Sequence, residues 1–389
     1  MEFLERYLLL GLRLGRHVDG FVDAYYGPRE LAAQVEGEAP APPGELAADA
    51  AALAGELPFD DEHRNAWLRA QLAGCETTAR RLAGEPVGWA DEVERCYGVR
   101  PEPVPEERFA QAQEQLDAAL PGGGELAARY RAWVERQGVP PDKLLPAAAR
   151  FEQELRTRTD ALVGLPQGEA VELETVQNEP WSGFNYYLGG RRSRVVVNTD
   201  LPVYSFALPG LVAHEVYPGH HTEHAWKEAL LVDGEGRLEE SLFLTGTPQA
   251  VLSEGIAMLA PELGFAGDEG AVAAEVYATL GVEYEAEPSA AAREFRSAIE
   301  GMSANAAWQL HEEGRPQAEV EAYLLRWGLG TPERAAKSIS FLTHPTWRAY
   351  VSCYSAGYEL CRRFVHGDAR RFRRLLTEQL TTGDLLAAA

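Results

Sequence analysis

Residues 211–226 read LVAHEVYPGHHTEHAW, which places four of the chain's nine histidines within eleven positions. At this composition a window of that size would hold about a quarter of a histidine by chance. The stretch opens like the zinc-site pattern H-E-x-x-H, whose i, i+4 spacing puts two imidazoles on one helix face with a glutamate beside them. Here His214 is followed by Glu215, but the i+4 position is Pro218. On an unbroken helix His221 would share a face with His214 yet lie about 10 Å further along the axis, and His220 would point roughly 240° around it. Neither arrangement lets two histidines share an ion. Proline removes an i→i−4 hydrogen bond and clashes with the preceding turn, while glycine permits unusual dihedrals, so Pro218-Gly219 predicts a break. That break would bring His220 back beside His214, and the motif then reads H-E-x-x-(P-G)-H. His221 remains open as a supporting partner or as the second ligand in place of His220. His224 is expected on the solvent side.

A catalytic zinc site needs three N, O or S ligands and an open position for water. The third ligand should come from a later helix, and Glu254 in VLSEGIAML (251–259) is the candidate, with Ser253 and Gly255 small enough to allow close helix approach. Two histidines and a glutamate on a second helix match the gluzincin arrangement of thermolysin-like enzymes. Glu215, next to a ligand, is placed to act as general base.

The surrounding chain reads as mainly helical. Helical spacing of apolar residues predicts helices over 2–18, 45–57, 61–83, 106–119, 124–137 and 142–162. DAYYGP (23–28) and GEAPAPPG (37–44) read as breaks and connections. VELETVQ (171–177) is β-like, and FNYYLGGRRSRVVVN (184–198) predicts a hairpin turning on Gly189-Gly190. Val195, Val196 and Val197 suit a strand buried on both faces or lining a cleft. After Pro209 the pattern is helical almost to the end. The expected architecture is one large, mainly α domain over 1–389 with a small sheet beside the histidine helix. It allows two lobes, an N-terminal helical one (1–165) and one carrying the hairpin and metal site (166–389).

A formal net charge of −24 argues against nucleic acid or anionic membrane surfaces as partners. The run of arginines at 362–374 is expected to form a solvated helix face that pairs with the protein's own acids. No run approaches 18 apolar residues, which argues against a membrane span. The first residues read as an amphipathic helix rather than a signal peptide. Cys75, Cys96, Cys353 and Cys361 show no C-x-x-C spacing, and Cys353 and Cys361 stand roughly 12 Å apart on a helix, beyond disulfide reach. Free buried thiols and a cytoplasmic location are expected.

HEVYPGHH, the preceding hairpin with VVVNTD, the later LSEGIA, and YVSCYSAGYELCRRF (350–364) together resemble a bacterial family filed as domain of unknown function 885. VDAYYGP resembles a subgroup of it. The resemblance follows much of the chain in order, and its specific motifs occupy about 40 residues. That family is similar to gluzincin-type zinc metallopeptidases. The resemblance implies His214, His220 and Glu254 as ligands of one Zn2+ (or another divalent metal) and Glu215 as base, and it draws attention to Asn198, Tyr354 and Gly357. The family often has glutamine where this chain has Glu223, which bears on metal identity. The expected function is hydrolysis of a peptide or small amide, with Tyr354 stabilising the oxyanion and Arg348 and His344 near enough to bind a substrate carboxylate. An extended peptide would lie along the hairpin's edge strand. The rival expectations are a non-catalytic helical binding protein on a hydrolase fold and a hydrolase of non-peptide amides or esters.

Overall fold

Tyr7, Leu8, Leu10 and Leu14 recur at helical spacing near the N-terminus, and all four are buried in helix α1 (Phe3–Gly15). The same logic builds α2 (Glu62–Leu82), α3 (Trp89–Tyr97), α4 (Pro141–Val163), α5 (Leu208–Glu215), α6 (His220–Lys227), α7 (Pro248–Phe265) and α8 (Trp347–Val365), the helices that bear on the site. The computed structural model describes residues 2–178, 183–200 and 202–388 and is mainly helical, with one sheet of two strands and one of three. Among these residues no helix is long and apolar enough to cross a membrane.

The expected hairpin is present as β3 (Gly183–Gly189) and β4 (Arg192–Asn198), antiparallel. Gly189 and Gly190 turn it with φ of 73° and 63°, a region that favours glycine. The segment β2 (Ala170–Val176) pairs with β4 in parallel, giving the order β2-β4-β3. β4 is therefore central, and Val195, Val196 and Val197 are at most 2 % exposed. Burying each contributes about 1.5–3 kcal/mol.

Two short strands appear where the sequence suggested a break or nothing. β1 (Val22–Tyr25) lies in the DAYYGP region and pairs antiparallel with β5 (Leu242–Leu244), more than two hundred residues later. Strands of four and three residues are too short to leave a periodicity. α1 packs on this pair, and Gly11 gives Leu242 and Leu244 the room to approach. The stretch over α3 was likewise not expected to be helical, yet Trp89, Val93, Cys96 and Tyr97 bury one face of a nine-residue helix.

α7 packs most extensively on α8. A Cβ on Gly357 would collide with the carbonyl of Val251, and one on Gly255 with the carbonyl of Gly357, so both positions require glycine for these backbones to touch. Small residues beside Glu254 do permit the close approach expected of them. α5 packs against α7, α4 and β3, which places the histidine stretch between the helical core and the three-stranded sheet.

Candidate metal centre

The helix carrying His214 ends at Glu215, and a new one begins at His220. Between them Val216 adopts φ −119° and ψ −88°, and the Tyr217–Pro218 peptide is cis. The turn meets its own hydrogen-bonding needs. Val216 N–H donates to Val212, Gly219 N–H to Ala213 (3.1 Å) and Thr222 N–H to Val216. A Cβ at Gly219 would run into the carbonyls of His214 and Ala213, so only glycine lets the chain double back this tightly. Pro218 fits against Gly264 of α7. Asn185 on β3 donates to the Glu215 carbonyl at 2.6 Å, satisfying one of the carbonyls left free by the helix end.

This geometry brings His214 and His220 together with their ring centroids 4.8 Å apart and nearly perpendicular. One ligand atom from each of His214, His220 and Glu254 lies within 4.8 Å of the other two. His214 Nε2 and Glu254 Oε2 are 3.6 Å apart. Tetrahedral ligands about 2.1 Å from a zinc ion stand roughly 3.4 Å apart. Glu254 Oε2 is buried with no hydrogen-bond partner among the described residues, whereas Oε1 accepts from the Tyr350 hydroxyl at 2.5 Å.

Each candidate ligand has a support behind it. His220 Nδ1 lies 3.1 Å from Ser253 Oγ, Ser253 donates to Glu223 Oε2 at 2.5 Å, and Lys227 pairs with Glu223 Oε1 at 2.6 Å. The Ala257 backbone carbonyl accepts a hydrogen bond from the His214 ring. His221 is excluded from the centre because both its ring nitrogens are committed. Nδ1 meets Ser193 Oγ at 2.8 Å and Nε2 meets Glu169 Oε2 at 2.9 Å, with the residue fully buried. That leaves His220, not His221, beside His214.

Burial sets the charges. It drives the pKa of His214 well below the ordinary value, helped by neighbouring His220, and lowers His220 to about 4. It raises Glu254 to about 8 against the pull of Tyr350, and it raises Glu215 well above the carboxylate range, assisted by Glu254 and Asp23. Burial also opposes ionisation of Glu223, but Lys227 prevails and that carboxylate stays ionised. Two neutral imidazoles with free lone pairs and a carboxylate oxygen lacking a partner form a donor set that fits a divalent cation.

Several expectations need correction. His224 is not on the solvent side. It is 6 % exposed and stacks on Tyr187 with centroids 4.9 Å apart. Arg348 is held by Glu92, with Nε to Oε2 at 2.9 Å, so it is not free to bind a carboxylate as it stands, while the exposed His344 stacks near Trp347 and accepts from the Thr346 N–H at Nδ1. Tyr354 lies one turn beyond Tyr350 on α8 and is partly exposed, with the two rings 5.7 Å apart. Asn198 ends β4, buried, and accepts from the Asp200 N–H. The arginines near the C-terminus pair largely as expected, Arg362 with Glu359, Arg370 with Asp368 and Arg374 with Glu378, while Arg373 lies over Trp226. All four cysteines are buried and unbonded. Sequence reasoning missed Tyr350, the Ser253–Glu223–Lys227 chain and Asp23.

The site is thus a two-histidine, one-glutamate cluster with an adjacent buried carboxyl on a mainly helical scaffold. No protein-family profile matches the chain, and no curated protein matches it. Solved structures do. A candidate lipoprotein from Colwellia psychrerythraea is 14 % identical with a TM-score of 0.59, the match covering 92 % of this chain and 68 % of that one. A candidate lipoprotein of unknown function from Shewanella oneidensis is 12 % identical with a TM-score of 0.52, covering 98 % of this chain and 72 % of that one. At these identities the likeness is one of fold.

Proposed function

We propose that the protein is a zinc-dependent hydrolase of peptide or amide bonds, in which His214, His220 and Glu254 hold the ion and Glu215 moves protons. The observation that carries this reading is the convergence of three ligand atoms from α5, α6 and α7 within 4.8 Å, one of them a buried carboxylate oxygen with no partner. Zinc in such a setting polarises a carbonyl and acidifies water. Glu215, adjacent to His214 and 7 % exposed, would accept the proton of the attacking water and deliver it to the leaving nitrogen as the C–N bond breaks. Tyr354 would donate to the developing oxyanion, a phenol adding no charge to an acidic site. β3 is an edge strand whose Asn185 holds the Glu215 backbone, so an extended peptide paired along that edge would pass Glu215.

Metal analysis of the purified protein tests the reading. About one equivalent of zinc per chain is expected, lost in His214→Ala and Glu254→Ala by orders of magnitude in affinity while far-UV circular dichroism stays helical. A variant that keeps stoichiometric zinc at submicromolar free metal removes that ligand from the set. A parent protein that takes up no metal overturns the reading in favour of a binding protein on this fold. Turnover of small amides or esters but of no peptide would move the substrate class.

A further inference from the structure

We propose that Tyr350 is a positioning residue that confines Glu254 to a single ligand atom, and so tunes the centre for four-coordinate ions of the zinc type against oxygen-preferring ions such as manganese. The inference rests on the metal-site reading above. Tyr350, Tyr354 and Gly357 stand at i, i+4 and i+7 on α8 and therefore share one face. Gly357 is the point at which that face meets α7, its α-carbon against the Val251 carbonyl and the backbone of Gly255, the residue after Glu254. Contact between the two backbones sets how far Tyr350 stands from Glu254, and its hydroxyl donates to Oε1 at 2.5 Å. The Tyr350 ring is 9 % exposed and is boxed in by Tyr97, Trp347 and Tyr354, with centroids 6.4, 5.5 and 5.7 Å away and interplanar angles of 80–82°. Edge-to-face contacts on three neighbours hold the phenol in one orientation.

The carboxylate is thereby divided. Oε1 is committed to the phenol, while Oε2 is buried, has no hydrogen-bond partner among the described residues and lies 3.6 Å from His214 Nε2. A short hydrogen bond to an ionised oxygen is a strong one, and the oxygen that shares its charge with a proton donor is the poorer metal ligand of the pair. The number of oxygens on offer decides which ion is served. A catalytic zinc site is complete with three protein donors and a water. Calcium takes about six to eight oxygens, often from carboxylates that give both, and manganese shares the preference for carboxylate and water. With one oxygen from Glu254 the cluster supplies the zinc set. A carboxylate free to turn both oxygens inward would add a donor and shift the site toward the second group of ions.

The test titrates the parent and Tyr350→Phe with zinc and, separately, with manganese against a metal-sensitive dye, and records the visible spectrum of each protein loaded with cobalt(II). The substitution removes one oxygen and keeps the ring, so the aromatic box stays filled. Most sites of mixed nitrogen and oxygen donors prefer zinc to manganese, so the informative quantity is the change in that preference. Zinc affinity should fall about 10- to 100-fold in the variant, and manganese affinity by less, narrowing the ratio at least about threefold. The cobalt parent should show the intense visible absorption of a four-coordinate ion, and the variant the weaker absorption of a higher coordination number. Equal losses for both ions with an unchanged cobalt spectrum, unchanged affinities for both, or a parent that already shows the weaker spectrum overturns the proposal. Tyr350→Met takes the place of the phenylalanine variant if that one does not fold. Stoichiometric zinc in a parent whose ion preference and spectrum ignore the substitution sinks the role of Tyr350 alone. A parent that takes up neither zinc nor cobalt sinks the metal reading and this inference together.

Discussion

A hydroxyl has one proton to give, and at Ser253 that proton goes to Glu223, 2.5 Å away. Ser253 must therefore accept from His220 Nδ1–H, which fixes the tautomer and leaves Nε2 with the lone pair a metal needs. Lys227 keeps Glu223 ionised, so the chain Lys227–Glu223–Ser253–His220 raises the basicity of that imidazole. Ser253→Ala should lower zinc affinity roughly 10- to 100-fold, read by competition with a chromophoric chelator. Unchanged affinity would remove the relay. The two candidate histidines were legible in the sequence because an unbroken helix could not bring them together, and Glu254 because its small neighbours permit close helix approach. The supports were not. Ser253 reaches Glu223 across 30 positions and Tyr350 reaches Glu254 across 96, distances at which no periodicity carries information. One signal was available: Tyr350 and Tyr354 stand i, i+4 on one helix and so share a face. His224 was misplaced because α6 is buried on nearly every side, and a pattern argument needs a wet face to orient it.

At the scale of elements, the decisive feature is the turn between α5 and α6. Gly219→Ala places a methyl against two backbone carbonyls, and that of Ala213 cannot move away without breaking its hydrogen bond from the Gly219 N–H. The variant should lose at least about 2 kcal/mol of stability and its zinc together, measured by urea unfolding and metal analysis. Retention of both would show that the turn tolerates a side chain. Glu169 secures the same turn from outside, accepting from Tyr217, Arg156 and the buried ring of His221. Burial pushes its pKa up, but the hydrogen bonds from His221 and Tyr217 outweigh that and leave it at about 2. A folded-state value below the unfolded one of about 4.5 means the contribution is complete above that pH and is lost as pH falls toward 2. The stability gap between the parent and Glu169→Gln should thus be widest near neutrality and close between about pH 4.5 and 2 in acid titrations of unfolding. A gap independent of pH would deny Glu169 its charge-dependent role. The sequence announced this break through Pro218-Gly219 but not its anchor, since Glu169 sits in a stretch with no motif. The hairpin was readable because Gly189-Gly190 and three consecutive valines are strong local signals. β1 and β5 have only each other.

Across the whole molecule, the three candidate ligands ride on helices that serve different parts of the core. α5 contributes Leu208, Val212 and Ala213 to a cluster shared with α4 and β4, while α6 and the first half of α7 contribute Ala225, Val251 and Ile256 to the cluster built around α3 and α8. An ion held by all three would join these clusters at a point where the unbound site concentrates carboxyls that resist ionising in a chain of net charge −24. Binding to the folded state alone stabilises it by mass action, about 2.7 kcal/mol at a hundredfold excess over Kd. For a chain of this size that corresponds to a rise on the order of 3 °C in the unfolding temperature. Scanning calorimetry of chelator-treated protein with and without zinc should show this shift, and Glu254→Ala should abolish it without removing the cooperative transition. The charge argument adds a second signature. Zinc bound there would displace the proton that burial keeps on Glu254 up to about pH 8, so the shift should grow as pH rises from about 6 to 8. A zinc-induced shift of the same size in Glu254→Ala would place the ion elsewhere and separate the helical scaffold from the chemistry assigned to it.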